Sequence, residues 1–192
     1  KKGLTTSSVK RNFSTIRSIF NLAIQEHGLN CPNAFSKVYL PDLDDVKKRK
    51  PIPIAYIKNI QEECKQIDDE VRWLVSLISD TGMRLSEAVG LHINDINLDC
   101  DIAHIDLKPH AWRSLKTKSS TRQIPLVGAS LWAAKRIKEN NNGSLYVFPR
   151  YTSNKETKSN SASAAINKWL KPRVPEGCVI HSFRHSLRDR LR

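Results

Sequence analysis

Apolar residues recur at helical spacing from the start of the chain. The first run follows the polar stretch TTSS, whose hydroxyl side chains are typical N-caps, and continues until Gly28. Its apolar residues lie three or four positions apart or next to one another, as on one face of a helix: Val9, Phe13, Ile16, Phe20, Ala23 and Ile24. This pattern predicts an amphipathic helix that ends at the glycine.

The same spacing predicts six further helices after residue 53. They cover residues 54 to about 67, 71–79, a short stretch from about 84, 129–139, 161–170 and 181–192. In the last of these, Phe183, Leu187 and Leu191 share one stripe, which we expect to be buried. The adjoining polar face carries His181, Arg184, His185 and Arg188.

One segment has the alternation of strands instead. Between residues 103 and 127, β-branched and alternating apolar positions are separated by short polar turns, which predicts two or three antiparallel strands. The order of helices, a small sheet and more helices indicates a mostly helical α+β fold. The sequence contains no glycine-rich phosphate loop and no internal repeat.

A linker is predicted where regular patterns stop, in PDLDDVKKRKPIP at residues 41–53. Three prolines and a run of four basic residues, Lys47 to Lys50, leave little room for regular structure. We therefore divide the chain into residues 1–45, the helical end of one domain with the start of the linker, and residues 46–192, a second domain. About forty residues cannot bury a core of their own, so we expect the first part to belong to a larger domain.

The charge balance favours a polyanionic partner. The 192 residues include 32 Lys and Arg but only 19 Asp and Glu, a formal net charge of +13. From Leu107 to Lys138 there are eight basic residues and no acid, which predicts a basic surface with salt-dependent affinity for phosphates. No stretch of about 18 apolar residues is present, so a nucleic acid is the expected partner and a membrane is not.

The four cysteines indicate neither a disulfide framework nor a zinc knuckle. They are scattered and form no C-x-x-C pair, so we expect reduced thiols in a cytoplasmic protein. Cys178, His181 and His185 are close enough in sequence to share a metal ion, but no fourth ligand lies nearby. We therefore predict no metal and no cofactor.

Three motifs resemble those of the tyrosine recombinase family, the phage integrases and their relatives. They are DTGMRLSEAVGLH at residues 80–92, LKTKSSTRQIPL at 115–126 and HSFRH at 181–185. The resemblance implies catalytic roles for Arg84, Lys116, His181 and Arg184 and supporting roles for Glu87 and His185. It also implies that residues 1–45 end a core-binding domain and that residues 46–192 are the catalytic domain, truncated before the nucleophilic tyrosine.

The chemistry of that family suits these residue types. Two arginines can hydrogen-bond the non-bridging oxygens of a phosphodiester with charged forks, which suits Arg84 and Arg184. The resemblance assigns protonation of the leaving 5′ oxygen to Lys116 and a hydrogen bond or proton transfer near the nucleophile to His181. Lys118, two residues away on the same turn, is the alternative to Lys116.

Each of these residues also has a purely structural interpretation. Arg84 and Glu87 are spaced like a helical ion pair, and the glutamate can also orient the arginine. We expect His185 to be a buried, hydrogen-bonded histidine and the four tryptophans to belong to the core or an interface. The residues predicted to contact DNA are Lys118, Arg122, Lys47, Lys48, Arg49 and Lys50, with Arg122 alternatively a charge on the strand surface.

No tyrosine follows the third motif, because Tyr39, Tyr56, Tyr146 and Tyr151 all precede it. We expect these 192 residues to be inactive and monomeric, and the full-length protein to recombine DNA, as a phage integrase does, in homo-oligomers on DNA. The alternative is a non-catalytic DNA-binding protein on a decayed recombinase fold. A metal-dependent nuclease is disfavoured because the acids do not cluster.

Overall fold

The computed structural model describes residues 3–41, 43, 45 and 49–192, and for Lys118 the backbone alone. It divides the chain into two compact units, residues 1–48 and 49–192. The helices are α1 (Thr6–Glu26), α2 (Ile54–Ile67), α3 (Glu70–Thr81), α4 (Leu85–Val89), α5 (Gly128–Glu139), α6 (Ser159–Leu170) and α7 (Ser182–Arg190). The strands are β1 (Ile96–Asn97), β2 (His104–Leu107) and β3 (Arg122–Pro125).

These elements confirm the predicted α+β fold. Every helix predicted from apolar spacing is present, and β2 and β3 lie in the predicted strand segment. The third strand, β1, lies before that segment, where two residues are too few to show alternation. Within the described residues, no helix has the length and apolar character that crossing a membrane requires.

In the first unit, the chain after α1 returns along the helix. Phe35 packs against Phe13 and Phe20, with ring centroids 6.4 and 4.7 Å away. At the helix start, the Asp45 carboxylate accepts hydrogen bonds from the backbone N–H (2.6 Å) and hydroxyl (3.0 Å) of Thr6. A carboxylate at this position satisfies a free N–H and is favoured by the helix dipole.

The core of the second unit is built around α3. Leu74, Val75 and Leu77 are completely buried, and α3 packs against α2, α4, α5 and α7. Its N-terminus is capped by Asp69, which accepts from the Arg72 N–H at 2.9 Å, and it ends at Gly82 in a left-handed conformation. An uninterrupted apolar helix buried on most sides is the expected result of the run VRWLVSLIS.

The small sheet covers another side of this core. Its order is β1-β2-β3, and both pairings are antiparallel, with Ile105 opposite Ile96 on one side and Ile124 on the other. These three isoleucines are buried. Arg122, at the start of β3, is only partly buried and therefore lies at the edge of the core.

Three contacts fix α7 to the rest of the second unit. Ser186 hydrogen-bonds both backbone groups of Ile52, at 2.7 and 3.1 Å. Arg190 donates to the Asp80 carboxylate at 3.0 Å, and Arg184 donates to the carbonyl of Gly82 at 2.7 Å. The helix that carries the third motif is therefore tied to both the entering chain and the end of α3.

The predicted buried stripe of α7 is partly wrong. Phe183 is fully buried, but Leu191 is 79% exposed, and Ser182 and Ser186 complete the buried face. Leu191 follows the last helical residue, so helical periodicity does not fix its direction. The serines are tolerated there because their hydroxyls hydrogen-bond the backbone, as Ser186 does with Ile52.

Gly82 offers a test of the α3–α7 junction. Its φ is +58°, and a Cβ built on it would lie 2.7 Å from Leu187 Cδ2. We expect Gly82→Ala to lower the free energy of unfolding by about 1–2 kcal/mol from backbone strain and further through the clash. Urea denaturation measures the change.

Gly143→Ala is the matched control, because Gly143 also has positive φ (+80°) but open space around its Cβ position. It should show the strain alone. Adding Leu187→Ala to Gly82→Ala should recover the part due to the clash, and equal losses in both single variants would contradict the proposed contact.

Candidate active site

The first arginine of the site lies at the turn between α3 and α4. Arg84 occupies the position directly before α4, and the Glu87 carboxylate accepts hydrogen bonds from its backbone N–H (3.0 Å) and its Nη1 (2.7 Å). A glutamate at the third helical position commonly satisfies a free N–H in this way. Here the same carboxylate also fixes the guanidinium of Arg84, which remains about one-third exposed.

A second arginine reaches the same carboxylate from the sheet. Arg122 Nη2 lies 3.1 Å from Glu87 Oε2, and its Nη1 donates to the carbonyl of Ser120 at 2.8 Å. Burial alone would raise the pKa of the Glu87 carboxyl, but hydrogen bonds from Arg84 and the charge of Arg122 outweigh it and lower the pKa. Glu87 is thus a buried carboxylate that holds two guanidinium groups.

The third arginine is supplied by α7. Burial lowers the pKa of Arg184, and the positive charges of Arg84 and Arg122 lower it further, against the opposing charge of Glu87. The three arginines therefore share one electrostatic environment in which a single carboxylate opposes them. Such a surplus of positive charge attracts anions.

Two histidines of α7 lie beside the arginines. The rings of His181 and His185 meet edge-on with centroids 5.3 Å apart. Burial lowers the pKa of His181, and neighbouring cationic groups, Arg49 foremost, lower it further. This shift favours the neutral imidazole of His181, which is the form that can accept a proton.

His185 differs from its predicted environment. It is half-buried rather than buried, and its ring makes no hydrogen bond to the part of the chain that the structure describes. The reason is its position on α7 next to Arg184, on the face that borders a pocket rather than on the face that carries Phe183.

Two open pockets share His181 as a common wall. One has a volume of about 430 Å³ and is lined by Gly82, Arg122, Arg184, His185 and Arg188, among others. The other has a volume of about 290 Å³ and is lined by Arg49, Arg84, Ser86, Ser159 and Asn160, among others. Both pockets carry arginine side chains and are open to solvent, which suits a nucleic-acid backbone.

Lys116, the lysine predicted to be catalytic, does not join this cluster. Lys116 is exposed in the loop after β2 and lines neither pocket. The side chain of Lys118 is outside the described part of the structure, as are Lys47 and Lys48 altogether. Arg49 lines the smaller pocket, and Lys50 is exposed beside it.

Part of the basic run from Leu107 to Lys138 is paired with carboxylates, which the sequence does not predict. Four of its basic residues meet carboxylates that are distant in sequence. Lys108 and Arg113 lie 3.6 and 3.5 Å from Asp95, Arg122 lies 3.1 Å from Glu87, and Arg136 lies 2.7 Å from Asp68. The run itself contains no acidic residue, but the fold brings acidic residues from other segments next to it.

The pairing of Arg122 with Glu87 was not predicted. The sequence predicts Arg122 only as a residue that contacts DNA or as a charge on the surface of the strand. The sequence offers one indication of this pairing: Glu87 lies among apolar residues of the first motif, and a carboxylate that is buried there needs charged partners. Which arginine would reach it depends on how β3 packs against α4, and the sequence pattern does not specify that.

Comparisons with known proteins agree with this fold. The model of the phage integrase family matches residues 54–192. Among solved structures, the integrase of transposon Tn1549 in complex with circular intermediate DNA superposes with a TM-score of 0.71 at 20% identity, over 98% of this chain and 67% of that one. A lambda integrase dimer bound to a COC' core site gives a TM-score of 0.62 at 16% identity, over 95% and 51% of the respective chains.

Two curated relatives are tyrosine recombinases named XerC. The protein of Psychromonas ingrahamii is 25% identical over 97% of this chain and 61% of its own length. The protein of Bacillus subtilis is 28% identical over 64% of this chain and 41% of its own length. The chain thus spans less than two thirds of either relative. Because the family model covers more than half of its residues, the chain belongs to the phage integrase family of tyrosine recombinases.

Proposed function

We propose that this chain is the catalytic part of a site-specific DNA recombinase that breaks and rejoins phosphodiester bonds without metal or cofactor. The observation that carries the proposal is the pocket region in which Glu87 holds Arg84 and Arg122 near Arg184. The relatives support it by name, since the XerC proteins are tyrosine recombinases and the solved integrases were captured on DNA. Double-stranded DNA is accordingly the proposed substrate.

The arginines stabilise the charge that develops at phosphorus. Attack on a phosphodiester builds negative charge on the two non-bridging oxygens, and preoriented cationic donors lower the energy of that state. Arg84 and Arg184 each offer a charged fork for these oxygens. Arg122, which forms an ion pair with Glu87, adds further positive charge to the site.

Two further groups move protons in the proposed reaction. The tyrosine oxygen forms a bond to phosphorus while the bond from phosphorus to the 5′ oxygen breaks, which leaves a 3′-phosphotyrosine. Neutral His181 accepts a hydrogen bond or the proton of the nucleophile, and Lys116 gives a proton to the departing 5′ oxygen. An exposed position suits this lysine, because its side chain is accessible to bound DNA.

The nucleophile is proposed to be a tyrosine outside these 192 residues. Among the described residues, no tyrosine lines either pocket. Tyr56 lies on the outer face of α2, Tyr146 packs edge-on against Trp112, and Tyr151 is only 4% exposed. The 192 residues alone are then inactive and, we propose, monomeric in solution, with homo-oligomers assembling on DNA through the full-length protein.

The covalent adduct provides the decisive test. The 192-residue chain should form none with its DNA site, whereas the chain extended by the downstream residues of its parent gene should form a 3′-phosphotyrosyl adduct in the presence of a chelator. In the extended protein, Arg84→Ala or Arg184→Ala should reduce the rate of adduct formation by about 100-fold or more. Gel electrophoresis under denaturing conditions measures it.

An adduct that requires a divalent metal would contradict this mechanism. DNA binding by the extended protein without any adduct would favour a non-catalytic DNA-binding protein on the same fold.

The role of Lys116 can be separated from that of the arginines. A substrate with sulfur in place of the bridging 5′ oxygen has a leaving group that needs no proton. It should restore the rate of Lys116→Ala and leave Arg84→Ala slow. Lys118→Ala is the matched control, and restoration of that variant instead would assign the role to Lys118.

DNA binding by the 192-residue chain should depend steeply on salt. Each phosphate contact contributes a slope of about −0.9 in log K against log salt. Because three arginines and one lysine of the basic run are paired with carboxylates, we expect the slope to reflect a few contacts near the two pockets rather than the whole run. Fluorescence anisotropy at increasing NaCl measures it, and salt-independent affinity would contradict an electrostatic interface.

A further inference from the structure

The carbonyls at the end of α4 are held by side chains from outside the helix. Arg113 Nη1 donates to the carbonyl of Glu87 at 2.8 Å, and Trp112 Nε1 donates to that of Gly90 at 3.0 Å. The Thr152 hydroxyl donates to the carbonyl of Val89 at 2.8 Å. A helix of five residues has almost no complete internal hydrogen-bond ladder, so its position depends on these donors.

Arg113 is the most deeply buried of the basic residues near the site. It is 3% exposed, and its Nη2 also donates to the carbonyl of Lys108 and lies 3.5 Å from the Asp95 carboxylate. A guanidinium engaged in this way is not available to a phosphate in solvent. Any effect of Arg113 on a bound phosphate must therefore pass through the backbone that it holds.

The chain leaves space for this side chain at Gly90. A Cβ built on Gly90 would lie 2.7 Å from Arg113 Cδ and 3.0 Å from its Cγ. The φ of Gly90 is −87°, which any residue adopts, so the glycine is required for room and not for conformation. The last glycine of the first motif thus accommodates an arginine from the loop after β2.

The charge of Arg113 is balanced by a prearranged network. Asp95 is completely buried and also accepts hydrogen bonds from His110 Nε2 (2.8 Å) and the His92 N–H (3.1 Å). The His110 ring stacks on Trp112 with centroids 4.7 Å apart and planes 3° apart. Packing and hydrogen bonds together leave the loop little freedom to move Arg113 away from α4.

We propose that Arg113 is a positioning residue of the active site. It fixes the backbone of Glu87 and thereby sets the direction of the carboxylate that holds Arg84 and Arg122. The inference rests on the proposed function only in that the site binds a phosphate. Loss of the Arg113 fork should tilt α4 and loosen both arginines without removing either.

Inorganic phosphate binding by the 192-residue chain tests the proposal without requiring catalysis. The Nε–H signals of Arg84 and Arg122, followed by NMR during a phosphate titration, report occupation of the site. Arg113→Lys keeps the charge beside Asp95 but lacks the fork, so we expect a folded protein whose phosphate affinity falls about tenfold, the scale of one lost charge-assisted hydrogen bond. Gly90→Ala, which displaces Arg113 sterically, should act in the same direction.

Arg136→Lys is the matched control. Arg136 on α5 also makes two ion pairs, with Asp68 and Glu139, but neither partner lies on α4. It should leave phosphate affinity unchanged. A double-mutant cycle supplies the second criterion: because Arg113 acts through Glu87, Arg113→Lys should weaken binding little in a Glu87→Gln background, whereas a general loss of stability would add in full.

The outcomes separate this inference from the proposed function. Wild-type phosphate affinity in Arg113→Lys, or full additivity in the cycle, overturns the positioning role even where the extended protein forms its adduct. Reduced phosphate affinity in Arg113→Lys with a non-additive cycle supports the role, even where the extended protein forms no adduct and recombination is refuted. A wild-type chain whose Arg84 signal does not respond to phosphate overturns the inference as well.

Discussion

The buried carboxylate of Glu87 is the interaction on which the rest of the site depends. Removing a carboxylate from water costs several kcal/mol unless charged partners replace the lost hydration. Here Arg84 and Arg122 replace it, one from the start of α4 and the other from the start of β3. One charge therefore joins the sheet to the helical part of the unit and keeps two mutually repelling guanidinium groups side by side.

The end of α3 is the platform on which these groups meet α7. The left-handed turn at Gly82 ends α3, and the Gly82 carbonyl accepts the Arg184 guanidinium, while Asp80, two residues earlier, accepts Arg190. Asp80 also accepts the N–H of Ala129 at the start of α5. Two helices, α5 and α7, are thus oriented by polar contacts with Asp80 and Gly82 at the end of α3, which explains why sequence-distant segments converge there.

Local features of the sequence predicted much of this arrangement. Helices follow from apolar periodicity, and the Arg84–Glu87 pair lies within one helical turn, so both could be recognised without knowledge of the fold. The contact between Arg122 and Glu87 could not, because it depends on the packing of β3 against α4. The same limit applies to the basic run, whose charges are compensated by acids such as Asp95 that the fold brings to them.

The hydrogen bonds between Ser186 and Ile52 also bear on where the catalytic unit begins. The family match begins at residue 54, but Ile52, just before it, is hydrogen-bonded to Ser186 of α7. Arg49, three residues before Ile52, contributes charge next to His181. The start of the family match and the start of the compact second unit are therefore different, and the segment that enters this unit lines a pocket of the candidate active site in addition to connecting to it.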